Sequence, residues 1–178
     1  MIELFLLAYS LPPIAEVRFT PDYFSAYPQQ ISIGKDAPVL YSRQPGYYAV
    51  HSQEPKASVA TPTLLLNEGK IAVFTGEPKS AITDTISPVY RLQGGSLAVP
   101  TGLIFIRFAE NVDVESQKAA INQAGYEITE KLAYAPHAAW LRAKSGKMSD
   151  AFQEIRQLEA IPNVENVEPQ MLMERRQR

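Results

Sequence analysis

The 178-residue chain has two imidazoles, His51 and His137, and no cysteine. A nucleophilic triad needs a hydroxyl or thiol, a base and an orienting acid, and neither histidine stands in a setting that supplies them. The missing thiols also remove disulfides and thiolate metal sites, and leave the redox compartment open. Two isolated imidazoles make a poor metal centre, and no Asp/Glu grouping has the spacing of a calcium loop or a facial triad. The expectation is therefore a chain that is not an enzyme, with no catalytic residue, no metal and no cofactor. His51 is placed at the end of a hairpin strand and His137 in a turn, each as a solvated or structurally bonded ring. Asp84-Thr85 is followed by Ile86 where a paired catalytic aspartate needs glycine, and no second copy exists to share a proton. Gly34-Lys35, Gly69-Lys70 and Gly146-Lys147 lack the upstream glycine and following Ser/Thr of a phosphate loop and are expected to be turns. Trp140 and the group Tyr41, Tyr47 and Tyr48 are ordinary strand aromatics before they are a stacking surface.

The end of the chain offers chemistry of another kind. Met171, Leu172 and Met173 are three flexible apolar side chains, followed by Glu174 and a charged terminus. On an extended segment leaving an edge strand they could fill the pockets of a partner's cleft by strand addition. Alternatively they cover the N-terminal half of the chain, with the arginines solvated.

The elements that position these residues are clearest after residue 100. Residues 103–108, Leu-Ile-Phe-Ile-Arg-Phe, suit a strand buried on both faces. Asp113 is an N-cap with Glu115 in the first turn; Val114, Ile121 and Ala124 share a face, and Gly125 stops that helix. Residues 126–131 alternate as a strand near an edge. Ala135-Pro136-His137 turns the chain into a returning strand at 139–142, which ends at 144–147. Ser149 is the expected cap of a second helix whose stripe is Met148, Phe152, Ile155 and Leu158. Ile161-Pro162 breaks it, and a last strand at 164–167 is ended by Pro169 or placed by it on an edge. Strand, helix, strand, strand, helix, strand is a split βαβ, or ferredoxin-like, order.

Residues 1–100 hold 11 of the 14 prolines and seven of the nine tyrosines, with no helical period. Short strands are expected at 1–9, 16–20 and 30–33. A weak repeat, Pro38-Val39-Leu40 through Gly46 to Ala49-Val50 and Pro62-Thr63-Leu64 through Gly69 to Ala72-Val73, suggests two hairpins, with a third turning at Gly94-Gly95. Residues 77–87 are expected to be a flexible connection, and Thr101-Gly102 a tight junction. The fold class is thus α+β, with a β-rich hairpin module over 1–98 and a βαββαβ domain with an extended tail over 99–178.

A net charge of -2 and pI near 5.7 give no electrostatic case for nucleic acid. No run approaches the ~20 apolar residues of a membrane span. Glu3 stands where a signal peptide carries positive charge, so the default compartment is the cytoplasm and no membrane partner is expected. The oligomeric state is not readable.

The pattern Ala151-Phe152, Ile155, Leu158, then Ile161-Pro162-Asn163-Val164-Glu165-Asn166-Val167-Glu168-Pro169 resembles the second half of a subtilisin-type propeptide, of the proteinase-inhibitor propeptide family. There a helix ending in leucine is followed by P-x-V-x-x-V-E on the final strand. Val99-Pro100-Thr101-Gly102 with residues 103–108 is similar to the opening of the fervidolysin-like prodomains of bacterial subtilases. Tyr134 to Trp140 resembles their turn, with His137 where a small polar residue is expected. The resemblance spans roughly the second half of the chain. It implies a four-stranded sheet whose outer face packs on a subtilisin-type serine protease, and a C-terminal tail lying product-like in the active site. Carried onto this sequence, that tail is Met171, Leu172, Met173 and Glu174. With no protease domain after residue 178, the expectation is a stand-alone inhibitor, and a folding assistant, of a protease encoded elsewhere. The alternative is a binding or scaffold module that keeps the prodomain fold without protease contact.

Overall fold

The structure, a computed structural model, describes residues 22–34, 38–54, 61–78 and 85–174. In chain order it contains β1 (Gln30–Ile33), β2 (Val39–His51), β3 (Leu64–Leu66), β4 (Ile71–Thr75), β5 (Thr85–Leu92), β6 (Leu97–Phe108), α1 (Lys118–Gln123), β7 (Tyr126–Lys131), β8 (Ala138–Ala143), α2 (Ile155–Glu159) and β9 (Val164–Met173). It is a mostly antiparallel β structure with few, short helices, which agrees with the α+β expectation at that coarse level.

The nine strands form one sheet, and two long strands carry it. One edge of β2 pairs with β5; its other edge pairs first with β1, from Val39 to Ser42, and then with β4, from Tyr47 to His51. One edge of β6 pairs with β9; its other edge pairs first with β5 at Leu97 and Ala98, and then with β8 from Ile104 to Arg107. Across residues 97–173 the neighbours therefore run β9, β6, β8, β7, every pair antiparallel. The boundary expected between residues 98 and 99 falls inside β6.

Alternation decides which side of each strand is buried. Ile104, Ile106 and Phe108 of β6, Ala139, Leu141 and Ala143 of β8, and Val167 of β9 point to the helix side. There they pack with Val114, Ile121, Ala151 and Leu158 in the largest core. A second cluster, Ala49, Leu66, Ile71, Val73, Val89 and Val99, lies in the N-terminal half. A third, Ile31, Tyr41, Tyr90 and Ala98, is joined to the first by Phe152, which packs against both.

Several local expectations change. The first repeat copy is not a hairpin: β2 runs straight through, and Gly46 (φ 76) sits in an irregularity between Arg43 and Tyr48 where pairing with β5 shifts. Between those pairs β2 has four residues against one in β5, and extra residues in a strand bend it without reversing it, so Gly46 sits in a bulge and not in a turn. The second copy is a hairpin, β3 to β4 through a 3-10 turn at Asn67–Gly69, and β5 to β6 turns at residues 93–96. Thr85, Ile86 and Ser87, expected in a connection, begin β5. The strands expected at 1–9 and 16–20 lie outside the described residues.

Thr101-Gly102 is a kink within β6, where residues 101–103 have no partner in the register of β9, β5 or β8. Gly102 has φ +82, and a Cβ there would lie 2.9 Å from Cγ of Met148, so glycine alone fits.

Asp113 caps as expected, its Oδ1 accepting from the Glu115 amide at 2.9 Å, but a 3-10 turn at Val114–Gln117 precedes α1. The second helix is more altered. Ser149 does not cap it: its hydroxyl bonds Asp150 Oδ1 at 3.3 Å, and Met148 holds the cap position without a side-chain bond. The helix is divided into a 3-10 turn at Ser149–Phe152 and α2. The Tyr126 hydroxyl donates to the Ala151 carbonyl at 2.9 Å, the acceptor that residue 155 uses in a continuous α-helix.

Candidate functional site

Two places hold groups that could act on something else: the face of β6, β7, β8 and β9 turned away from the helices, and the seam where β2 and β5 meet the end of β8.

With Ile104 and Ile106 turned inward, Phe105 and Arg107 point outward, as do Trp140 and Arg142 on β8. Phe105 pairs in register with both Trp140 and Glu168, and its ring lies 5.4 Å from Trp140 at 61°, an edge-to-face contact. Both rings are half-buried. Around them lie ion pairs, Arg107 to Glu165 at 3.4 Å and Arg142 to Glu127 at 2.5 Å. Such exposed pairs contribute little stability; here they give the face charges of both signs. A shallow groove of about 340 Å³ runs from the aromatic pair past Glu168 and Pro169 to Tyr41, Ile33 and Met171.

The tail residues are not on a segment leaving the sheet. Met171, Leu172 and Met173 are the last residues of β9, opposite Pro100, Val99 and Ala98. Leu172 packs on the Val99 cluster and Met171 on the Tyr41 and Tyr90 cluster; Met173 is 36% exposed, and Glu174 is exposed just beyond the strand. The physical reason is the length of β6: because it begins at Leu97, it offers a ladder well past Pro169. Pro169 itself does not end the strand. It sits on a strand that pairs only with β6 among the described residues, where a missing N–H need not break a ladder.

The seam contains a contact that sequence reasoning missed. His51 Nε2 lies 2.9 Å from Ser87 Oγ, and that hydroxyl is also 3.2 Å from the Pro88 carbonyl. Register explains it: His51 is opposite Thr85 and Ala49 opposite Ser87. Ser87 is 0% exposed, so its oxygen faces no substrate, and the pair ties β2 to β5. Only the pairing of strands 36 residues apart brings it together, which is why no local spacing signals it. His137 lies in its expected turn, where its carbonyl accepts from the Phe108 amide at 2.9 Å.

Burial pushes the His51 imidazole down to about 4 from 6.5. An unfolded chain takes up this proton near pH 6.5, whereas the folded chain resists until about pH 4. The stability carried by the neutral ring is therefore fully present above pH 6.5 and is lost as pH falls from there towards 4. His51→Gln is expected to remove that component, flattening the loss between pH 7 and 4.5 by roughly 2 kcal/mol. Urea melts of both proteins at the two pH values check it, and parallel curves count against it. The Lys131 ammonium, 2.9 and 3.0 Å from the two Asp113 oxygens, holds that carboxyl below its usual range.

Among the described residues, no group of three or more His, Asp or Glu is placed to hold a metal ion. No helix there is long and apolar enough to cross a membrane. No family model, curated protein or solved structure matches the chain. Fold and site together define a β-rich α+β protein with a mixed aromatic and charged sheet face.

Proposed function

We propose that this chain is a non-enzymatic protein-binding protein, that residues 97–173 form a ferredoxin-like unit of the subtilase-propeptide kind, and that it binds and inhibits a subtilisin-type serine protease. Assistance in folding that protease follows from the same contact, because a surface that fits the native enzyme stabilises it over its unfolded forms. The observation that carries this reading is the strand order β9, β6, β8, β7 with the helical layer on one side and the Phe105–Trp140 face left on the other. An aromatic centre ringed by polar residues is the usual anatomy of a protein interface.

The pairing of Met171, Leu172 and Met173 with β6 favours a second reading, a binding module of the same fold whose partner is not a protease. Under the first reading the sheet face is the primary contact, and the tail reaches a cleft only after those pairs open.

Titration of a subtilisin-type protease with the chain, read by peptide-substrate turnover and by mass spectrometry of the chain, separates the two. Saturable inhibition with residues 1–170 intact, weakened at least tenfold by Trp140→Ala as expected of a central aromatic anchor, supports the inhibitor. No inhibition together with an uncut chain favours the second reading.

A further inference from the structure

The seam between the two halves is also the site of a cleft of about 370 Å³, at the kink of β6. The geometry points to this cleft as a binding site for a small molecule carrying a carboxylate or phosphate group. The inference does not rest on the protease reading.

Its walls come from separate elements: His51 and Gln53 at the end of β2, Thr85 at the start of β5, Thr101 at the kink, and Arg142 and Lys147 at the end of β8 and in the turn after it. The two charges among the described lining residues are both positive, in a chain whose net charge is -2. No Asp or Glu is among the described residues of the lining. Glu127 engages Nε of Arg142. That contact fixes the guanidinium by one corner and leaves its two terminal nitrogens, the pair that bind an oxyanion in bidentate fashion, without a protein acceptor among the described residues.

The other polar groups are held in place as well. The Ser87 hydroxyl donates to the Pro88 carbonyl and accepts from His51 Nε2, so the neutral ring turns an acceptor, Nδ1, to any ligand and pairs with a ligand O–H or N–H and not with the anionic oxygens. The Lys147 amide is held by Ser145 Oγ at 3.2 Å, after Gly146 at φ 73, so the turn that carries the ammonium is shaped locally. Also on the lining, residues 101–103 have no partner in the register of β5, β8 or β9, and Gly102 is packed on Met148. Two cations, the Thr85 hydroxyl and the Gln53 amide lining a concave space of metabolite size match what an oxyanion with a polar body requires; the Thr101 hydroxyl is already taken up by Gln170 and the Leu103 amide. A duplex nucleic acid does not fit a cleft of this size, and an apolar ligand leaves these donors unpaired.

The test is a titration of the full chain at pH 7 and constant ionic strength, followed by amide resonances, with inorganic phosphate in one arm and succinate in the other. Saturable shifts are expected at Gly102, Lys147 and the end of β2, and the tighter arm tells phosphate from carboxylate. Arg142→Gln and Lys147→Gln should each weaken the tighter anion about tenfold, the loss of one charge-assisted bond. Glu127→Gln should tighten it severalfold by removing the competing carboxylate. These side chains lie at the surface, so thermal unfolding should be near wild type and confirm that the variants fold. Shifts that do not saturate by about 20 mM in either arm, a regime weaker than useful recognition, overturn the proposal. So does saturable binding that both charge-removing variants retain.

Discussion

Phe108→Ala and Tyr90→Ala, one in each half of the chain, are expected to lower the same single unfolding transition, each by about 3–5 kcal/mol. Both side chains are wholly buried. Phe108 fills the core beneath the helices; Tyr90 fills the cluster shared by β1, β2, β5 and β6, with its hydroxyl donating to the Pro28 carbonyl at 2.8 Å. Because β6 belongs to both halves and Phe152 packs on both clusters, neither region can lose its packing without loosening the strand the other is built on. Calorimetry together with near- and far-ultraviolet dichroism is the check. Two separable transitions, with Tyr90→Ala moving one and Phe108→Ala the other, count against a single cooperative unit.

Ending the chain after Gln170 is expected to cost about 2–3 kcal/mol, since two half-buried apolar side chains and their ladder leave together. For a chain of this size that is a fall of about 5–10 °C in Tm. A tail projecting into solvent, by contrast, leaves Tm within about a degree when removed. Truncation is consequently a poor probe of the tail's part in protease binding, because it disturbs the sheet as well. A disulfide between Ala98→Cys and Met173→Cys is cleaner. The two are directly opposite on antiparallel strands, a separation that suits the bond. If protease contact runs through the sheet face, the oxidised chain inhibits as the reduced one does. If the tail must enter the cleft, oxidation abolishes inhibition and a reductant restores it. A chain that binds no protease in either state fails the proposed function itself.

How much of this was readable from residues depended on the range of the interaction. The Asp113 cap, the Gly125 stop and the strand at residues 30–33 are local, and the chain folds there as its spacing implies. Residues 103–108 form a strand as expected but are not buried on both faces: the helices cover only the side of Ile104, Ile106 and Phe108, leaving Phe105 half-buried and Arg107 exposed. Gly46 misleads because a glycine at positive φ serves a bulge as well as a turn, and only the neighbouring strand decides between them. The break before α2 depends on the Tyr126 hydroxyl, 25 residues away. The last residues of β9 read either as a free tail or as a cover for the N-terminal half, and Leu172 and Met171 do pack on the clusters of that half. The strand itself was not legible because its partners lie across β6, whose extra length was divided between a hairpin and a core strand. The seam cleft is the extreme case: His51, Thr85, Thr101 and Lys147 meet only when four distant pieces of chain have found one sheet.

The shared strand also sets an order of events on the ribosome. β6 can pair with β5 as soon as it emerges, since a four-residue turn joins them. Its other edge waits for β9, which begins 56 residues beyond Phe108 at Val164. At typical rates of synthesis that is an interval of roughly 3–11 s. For that time one side of a strand reading Leu-Ala-Val-Pro-Thr-Gly-Leu-Ile-Phe-Ile-Arg-Phe stands open in the nascent chain. Open, apolar edges invite pairing with other chains. Pro100, the kink at Gly102 and Arg107 interrupt that edge at three points, so the features that bend the finished sheet also guard the unfinished one.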